Sequence, residues 1–235
     1  MTTNTSTLNR STKSAATISY RFARLSLWCA LAFLTLLAAL HFIEPEIDPS
    51  WNFISEYQVG KFGWLMSLAF LSLALSCVFL VIALWSQQKN VVGKIGLLLL
   101  LVSAVGMIIA AVFPTDPINT SPESITAHGK LHQLGAMLDS IPFASVLISI
   151  GLIRRNESWK HSKTILLWST ILVWAGLFVF IGSMIALFPA DGKFGPAVLL
   201  GWQNRIMIVT QCLWLAIVAW QSMKINSPIP DRDRL

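Results

Sequence analysis

Charged residues are scarce in this sequence, and their scarcity excludes an ordinary soluble domain. Only 12% of the 235 residues are Asp, Glu, Lys or Arg, whereas 55% are apolar. A soluble chain carries roughly 25% charged and about 45–50% apolar residues. Intrinsic disorder and collagen are excluded by the same figures, because both need a very different composition.

Cysteine is also scarce, which excludes a disulfide scaffold. The three cysteines, Cys29, Cys77 and Cys212, all lie inside apolar runs. Disulfides form in oxidising compartments and not within a bilayer. We therefore interpret the three cysteines as small buried apolar side chains.

Six long apolar runs take the place of the missing charge. A bilayer-spanning helix needs about 20 mostly apolar residues. The runs predict an all-α, polytopic membrane protein with six transmembrane helices in a bundle, at 25–43, 62–85, 95–113, 131–153, 164–188 and 197–220. The predicted organisation is a polar N-terminal segment at 1–23, a transmembrane domain at 24–221 and a tail at 222–235.

The basic residues are divided unevenly between the two sets of connections. With the N-terminus in the cytoplasm, thirteen lie on the inner side: Arg10, Lys13, Arg21, Arg24, Lys89, Lys94, Arg154, Arg155, Lys160, Lys163, Lys224, Arg232 and Arg234. The outer loops contain Lys61, Lys130 and Lys193. An excess of Lys and Arg on one side marks the cytoplasmic face.

This asymmetry predicts that both termini are cytoplasmic and that the chain lies in the plasma (inner) membrane. The acidic residues favour the opposite side, since Glu44, Glu46, Asp48, Glu56, Asp116, Glu123 and Asp191 all face outward. The net charge of +6 is therefore attributed to topology and to contact with membrane lipid, not to nucleic acid.

Three predicted spans leave the membrane through similar residues. The third and fifth end in Phe113-Pro-Thr-Asp116 and Phe188-Pro-Ala-Asp191, and the first ends in a looser version at 42–48. One interpretation is three parallel-related helical hairpins of common ancestry. The other is that Pro and Asp simply end helices in this way.

The fourth span begins with a candidate metal motif. His128 and His132 are spaced i and i+4, so both lie on one helix face, and two imidazoles in this arrangement can bind one ion. Asp116 is the candidate third ligand, and a divalent metal such as zinc is the candidate cofactor. The alternative is that the two histidines only cap the helix or form hydrogen bonds.

Asp139 and Arg205 are the charged residues predicted to lie farthest from both interfaces. Counted from the predicted outer ends of their spans, they lie at nearly equal depth. Unpaired charges there are costly, so we predict a buried ion pair. The alternative is that Arg205 holds the anionic headgroup of a ligand, with Asp139 turned toward His132.

Ser55 and Glu56 in the first outer loop complete the candidate polar site. Ser55 is a candidate nucleophile if His128 or His132 supplies the base. The competing interpretation is a short interfacial helix whose aromatic face is formed by Trp51, Phe53 and Tyr57.

Several motifs together resemble the domain-of-unknown-function family 998, multi-pass membrane proteins of prokaryotes. They are Ile54-Ser55-Glu56, Gly60, Gly63-Trp64, Phe113-Pro-Thr-Asp116, His128-Gly-Lys-Leu-His132 and Gly201-Trp-Gln-Asn-Arg205. The resemblance covers roughly residues 25–220. It implies a six-helix bundle in which the Ser-Glu, Asp, His and Arg positions form one site, and it supplies no activity.

Two functions fit this pattern. The first is a binding, sensing or accessory role, with a polar site open to the extracytoplasmic side and with a membrane protein or a second copy as partner. The alternative is a metal- or general-base-dependent hydrolase of a lipid or headgroup. Ionisable residues are absent from the inner halves of the spans, which argues against a proton relay that crosses the membrane.

Overall fold

The computed structural model describes residues 3–189, 192 and 194–227, with side chains from residue 14 onward. Asp191, Lys193, Arg232 and Arg234 lie outside the described residues. The described part contains seven α-helices and no β-strand: α1 (Thr3–Ile43), α2 (Gly63–Trp85), α3 (Val91–Val112), α4 (Ala127–Met137), α5 (Ile141–Arg155), α6 (Lys163–Ala186) and α7 (Gly201–Ile225). Short 3-10 helices lie at Ile54–Val59, Pro122–Ser124 and Glu157–Ser162.

Six segments are long and apolar enough to span a membrane, as predicted. The helix of the first span is longer than expected, because α1 begins at Thr3 and continues through most of the predicted polar segment. The fourth span, expected as one helix, consists of α4 and α5 together. The chain is therefore an all-helical, multi-pass membrane protein.

Six helices close into a ring. α1 packs against α2 and α7, and the ring continues from α2 to α3, from α3 to α5, and through α6 back to α7. α2 also contacts α7 across the middle, and fully buried residues such as Leu73, Leu80, Trp214 and Leu215 fill the core. The outer surface of the ring is apolar, as expected where lipid replaces water.

α4 is the exception, because it packs chiefly on α3. Only Gly129, His132 and Gly135 are buried along its length. A Cβ atom on Gly135 would come within 2.7 Å of the Gly106 carbonyl oxygen, so the two glycines let the α3 and α4 backbones nearly touch.

The break between α4 and α5 has a local cause. Pro142 has no N–H to donate to the carbonyl four residues earlier, and the N–H of Ile141 donates to Asp139 Oδ1 (3.1 Å). α3 supplies substitute partners, since the N–H of Ser140 donates to Ser103 Oγ (2.9 Å) and the Ser140 hydroxyl donates to the Leu99 carbonyl (2.7 Å). Irregular backbone at membrane depth is stable only when such partners exist.

The connections at 44–62 and 113–126 meet the start of α7 at one end of the bundle, the predicted outer end. Ile118 N–H donates to Glu56 Oε1 (2.9 Å), and Gly201 N–H donates to the Ser50 carbonyl (3.0 Å). These bonds join all three regions. The common ancestry of the hairpins stays a prediction.

Neutral amides close the opposite, predicted inner end. Gln87 Nε2 donates to Ser222 Oγ (2.9 Å) and to the Ala83 carbonyl (2.8 Å), while its Oε1 accepts from Trp159 Nε1 (2.8 Å). Asn156 Nδ2 donates to the Gln87 carbonyl (3.2 Å). We call Gln87, Asn156, Trp159 and Ser222 the inner amide network.

Candidate functional site

The strongest candidate site surrounds Arg205, in the second turn of α7 at the predicted outer end. Its side chain is only 4% exposed. Nη1 donates to the Asn52 carbonyl (2.7 Å) and to the Gly201 carbonyl (3.0 Å), and Nη2 donates to the Tyr57 hydroxyl (3.3 Å). The first outer loop and α7 are thus fastened together through this guanidinium.

Glycine at position 201 permits this arrangement. A Cβ atom there would lie 2.4 Å from the Pro49 carbonyl oxygen and 2.7 Å from that of Asn52, both backbone atoms that cannot move aside cheaply. The loop therefore packs directly on the first turn of α7, which brings the Asn52 carbonyl to Arg205.

His41, near the end of α1, accepts a fourth hydrogen bond from the Arg205 guanidinium. Arg205 Nε donates to His41 Nε2 (2.8 Å), and His41 Nδ1 lies 2.7 Å from the Leu37 carbonyl. A carbonyl can only accept, so Nδ1 carries the proton and Nε2 is the free acceptor of a neutral ring. His41 therefore adds no positive charge to that of Arg205.

Aromatic rings enclose the guanidinium. Its carbon lies 5.6 Å from the Tyr57 ring centre and 5.8 Å from that of Trp202, and the His41 ring stacks on Trp202 at 6.3 Å. Cation–π contacts of this kind stabilise a cation without neutralising it. We call His41, Asn52, Tyr57, Trp202 and Arg205 the arginine cluster.

The predicted ion pair between Asp139 and Arg205 is wrong. Asp139 Oδ2 accepts from Gln211 Nε2 (2.7 Å), and the only ion pair within the described residues is Lys160–Glu157, at 2.7 Å. The equal-depth estimate failed because α4 begins four residues before the predicted span and α7 four residues after it. At 1.5 Å per residue the two errors add to about 12 Å.

Glu56 fastens loops and does not assist Ser55. Its Oε2 accepts from the N–H of Phe53 (2.8 Å) and its Oε1 from that of Ile118 (2.9 Å). In the described residues no histidine is hydrogen-bonded to Ser55, and His132 Nδ1 lies 2.9 Å from the Phe113 carbonyl. The segment Ile54–Val59 is a 3-10 helix with Tyr57 fully buried, so its aromatic side chains do not form one exposed face as the competing interpretation required.

Asp116 holds the start of α4 through Thr126. Both carboxylate oxygens contact the Thr126 hydroxyl, at 3.1 and 3.2 Å, and Oδ2 also accepts from the Thr126 N–H at 2.8 Å. The Thr126 hydroxyl in turn accepts from the N–H of Gly129 (3.0 Å), which caps the helix.

The predicted metal ligands do not assemble. Among the described residues there is no group of three or more His, Cys, Asp or Glu side chains placed to hold a metal ion. His132 packs edge-on against Phe70, and His128 packs against Phe113. The structure thus separates Asp116, His128 and His132 into helix-capping and packing roles.

Sequence reasoning missed several members of the outer site. Asn52, Tyr57 and His41 were not in the predicted polar site: Tyr57 was assigned to an interfacial aromatic face, and His41 to the outer end of the first span. Glu44, placed in a loop, is fully buried, with one oxygen bonded to the N–H of Phe62. The signal that could have found Glu44 is its position directly after the apolar run of the first span.

Several buried oxygens at this end have no partner in the described structure. They are Glu44 Oε2, Asn52 Oδ1, Gln58 Oε1 and Gln203 Oε1. Buried polar atoms are usually hydrogen-bonded, so such a concentration indicates a place where water or a ligand completes the set.

Two groups outside the spans have displaced pKa values. Burial raises the pKa of Tyr57 although the Arg205 guanidinium opposes that rise, so its hydroxyl keeps its proton at neutral pH. Hydrogen bonds from Ser50 hold the pKa of the exposed Asp48 carboxyl below its usual value, so Asp48 is ionised.

Comparison with known proteins gives one match. A family model described as "Protein of unknown function (DUF998)" matches residues 27–221, a range that begins within α1 and ends within α7. No curated protein and no solved structure matches this chain.

Proposed function

This chain belongs to the DUF998 family, and from that premise we propose that it is a binding or sensing protein of the plasma (inner) membrane. Its ligand site is the arginine cluster, and its ligand carries an anionic headgroup, as an outer-leaflet phospholipid does. Both termini are cytoplasmic in this proposal, so the cluster faces the extracytoplasmic side.

One observation carries the proposal. Arg205 is a buried cation whose protein partners are all neutral: two carbonyls, an imidazole and a phenol hydroxyl. An unpaired charge at membrane depth costs several kcal/mol, roughly, and such residues commonly mark ligand sites. The carboxylates of Glu56 and Asp48 attract the guanidinium without bonding to it, so an anionic ligand oxygen would be its first directly bonded counter-charge.

Donors for such an oxygen are present. Four of the five guanidinium N–H groups are bonded, which leaves one on Nη2, and the bond from Nη2 to Tyr57 is long at 3.3 Å. The Tyr57 hydroxyl accepts from Arg205, so its own proton is available to donate. Phosphate oxygens suit this pair of donors.

The surroundings suit an amphiphile. Trp202 of the cluster is 53% exposed, and Phe42, which follows His41 in the chain, is 84% exposed. Aromatic side chains favour the interfacial region of a bilayer. A headgroup bound at Arg205 would have its acyl chains against this apolar surface.

The competing hydrolase function has less support. A serine nucleophile needs a base within hydrogen-bond reach, and Ser55 has no histidine bonded to it in the described structure. The metal-dependent form needs ligands that converge, whereas Asp116 is bonded to Thr126.

The test is stabilisation by lipid. Purified protein in a neutral detergent is titrated with phosphatidylglycerol or phosphatidylcholine while its Tm is measured. Near saturation we expect phosphatidylglycerol to raise Tm by about 5 °C more than phosphatidylcholine does. Arg205→Gln should remove the difference, whereas Lys61→Gln, which removes an exposed charge at the same end, should retain it.

Arg205→Lys is a second variant for the case in which Arg205→Gln does not fold. It retains the positive charge and loses the planar guanidinium. It should show a smaller lipid response than wild type. Equal responses of the wild type to both lipids, or an unchanged response in the folded variants, would overturn the proposal.

A further inference from the structure

A second unusual site lies deeper in the bundle, where the fourth span is interrupted. Asp139 occupies the break between α4 and α5, 12 residues after the start of α4 and thus about 18 Å along the helix. Its Oδ2 accepts from Gln211 Nε2 (2.7 Å), and its Oδ1 accepts from the N–H of Ile141 (3.1 Å).

The carboxylate has no cationic partner among the described side chains. The only ion pair there joins Lys160 and Glu157, and the guanidinium of Arg205 is bonded elsewhere. The titratable neighbours of Asp139 are Cys77 of α2 and Cys212 of α7, both fully buried. Thiols do not neutralise a negative charge, so these neighbours supply no counter-charge to an ionised Asp139.

The oxygen of Gln211 is a second, independent observation. Gln211 is fully buried, and its Oε1 has no hydrogen-bond partner in the described structure. It belongs to the amide whose nitrogen contacts Asp139, so it lies beside the carboxylate. Exchanging the oxygen and nitrogen positions of the Gln211 amide would place its Oε1 against Asp139 Oδ2. Both atoms are acceptors, so a positive group would still be needed between them.

The broken helix adds oxygen-rich backbone to this region. The N–H of Ile141, which would bond the Met137 carbonyl in a continuous helix, bonds the Asp139 side chain. Pro142 has no N–H to offer the Leu138 carbonyl, which instead lies 3.3 Å from the Ser140 hydroxyl. Interrupted helices at membrane depth commonly supply such carbonyls to small cations.

We propose that Asp139 and Gln211 form a binding site for one small monovalent cation, Na⁺. A single positive charge neutralises the single carboxylate and gives Gln211 Oε1 its missing partner. A divalent ion would leave an excess charge in a low dielectric, where excess charge is costly. The site differs from the arginine cluster in position and in ligand, so it does not depend on the proposed lipid binding.

Asp139 lies partly at the surface of the bundle. In the described structure α4 packs chiefly on α3 and not on α6 or α7. Helix α7 contacts the break through Gln211, whose Nε2 donates to Asp139 Oδ2 (2.7 Å). The inner amide network lies at the other end of the bundle, so in this proposal Na⁺ reaches the site from the predicted outer side.

The experiment measures ²²Na⁺ binding to the full-length protein in detergent, with choline as the balancing cation. Wild type should bind one Na⁺ per chain, and Na⁺ should also raise Tm. Asp139→Asn and Gln211→Leu should each weaken binding by about tenfold or more. The matched control is Asp116→Asn, which removes a carboxylate that caps α4 outside the site and should leave binding unchanged.

Three outcomes would overturn the proposal. They are the absence of saturable Na⁺ binding to the wild type, unchanged binding in Gln211→Leu, and a stability that responds to proton concentration but not to Na⁺. The last would mean that Asp139 is neutralised by a proton. If Asp139→Asn does not fold, the proposal is still tested by two measurements. They are Na⁺ binding to the wild type and Na⁺ binding to Gln211→Leu, which retains the carboxylate.

Discussion

The two ends of the bundle both bury polar side chains, but they do so differently. At the predicted inner end the groups are neutral, and Gln87 alone bonds Ala83, Ser222 and Trp159. At the predicted outer end, the buried side chains of Arg205 and Glu44 are ionisable, and neither has an ion-pair partner within the described residues.

Unpartnered atoms follow the same division. Gln88 Oε1 is the unpartnered buried oxygen beside the inner amide network, whereas four such oxygens lie at the outer end. A fully bonded neutral network stabilises the fold, and a partly bonded charged one is destabilising unless something else binds. This difference is what the proposed function requires, with binding at the outer end and stability supplied at the inner end.

The largest expected effect is a difference in chemical labelling between the two ends of the bundle, which shows which end faces the cytoplasm. Single cysteines replace Ser121, exposed in the second outer loop, or Ser158, at the inner end, and intact cells are treated with a membrane-impermeant maleimide. We expect nearly complete labelling of Ser121→Cys and almost none of Ser158→Cys, because the positive-inside bias puts Ser158 in the cytoplasm.

The control is the same labelling after the cells are opened, when both variants should react. The native cysteines lie within the spans, and the unsubstituted protein measures their background. Labelling of Ser158→Cys in intact cells would reverse the assignment of the two ends.

The next largest effect is expected from breaking the inner amide network. Gln87→Leu leaves the buried Trp159 Nε1 and Ser222 Oγ without their partner, at a cost of about 1–3 kcal/mol for each unsatisfied group. The measurement is the free energy of unfolding or Tm in detergent. Gln133→Leu, at an exposed position on α4, is the control and should change stability little.

A Gln87→Leu protein as stable as the wild type would remove the contrast between the ends. It would mean that the buried amides of the inner end contribute no more to the free energy of unfolding than exposed amides do.

The smallest effect is expected at Glu44. Glu44→Gln keeps the shape of the side chain and removes a buried negative charge whose Oε2 has no partner, so Tm should stay equal or rise slightly. Glu56→Gln is the matched comparison. Both oxygens of Glu56 accept N–H bonds, so its amide variant should lower Tm. A larger loss for Glu44→Gln than for Glu56→Gln would contradict the interpretation of the outer end.

Sequence reasoning succeeded where a property is local. It found the six spans and identified Arg205 as a charge far from the predicted interfaces, because charge and hydropathy are visible along the chain. It also placed Glu56 and Asp116 in the polar outer loops, but it assigned them chemistry where the structure gives them loop-fastening and capping roles. Capping partners such as Thr126 lie ten residues from Asp116, beyond any short motif.

Partners across the bundle were not predictable in the same way. Asp139 bonds Gln211 at a separation of 72 residues, and Arg205 bonds His41 at a separation of 164. Such a pair depends on which helices are neighbours and on where each helix begins. An error of a few residues in two boundaries was enough to assign Asp139 the wrong partner.

The sequence by itself determined that this chain crosses a membrane six times as helices, because a segment in lipid must be apolar and must satisfy its own backbone. Its charge distribution also determined which residues are costly inside the bilayer. The tertiary structure alone decided how those costs are met: a ring with α7 against α1, a fourth span interrupted at Asp139, and a guanidinium bonded to neutral oxygens and a ring nitrogen. The reason is geometric, since depth along a helix is fixed by counting residues, whereas lateral position is fixed only by packing.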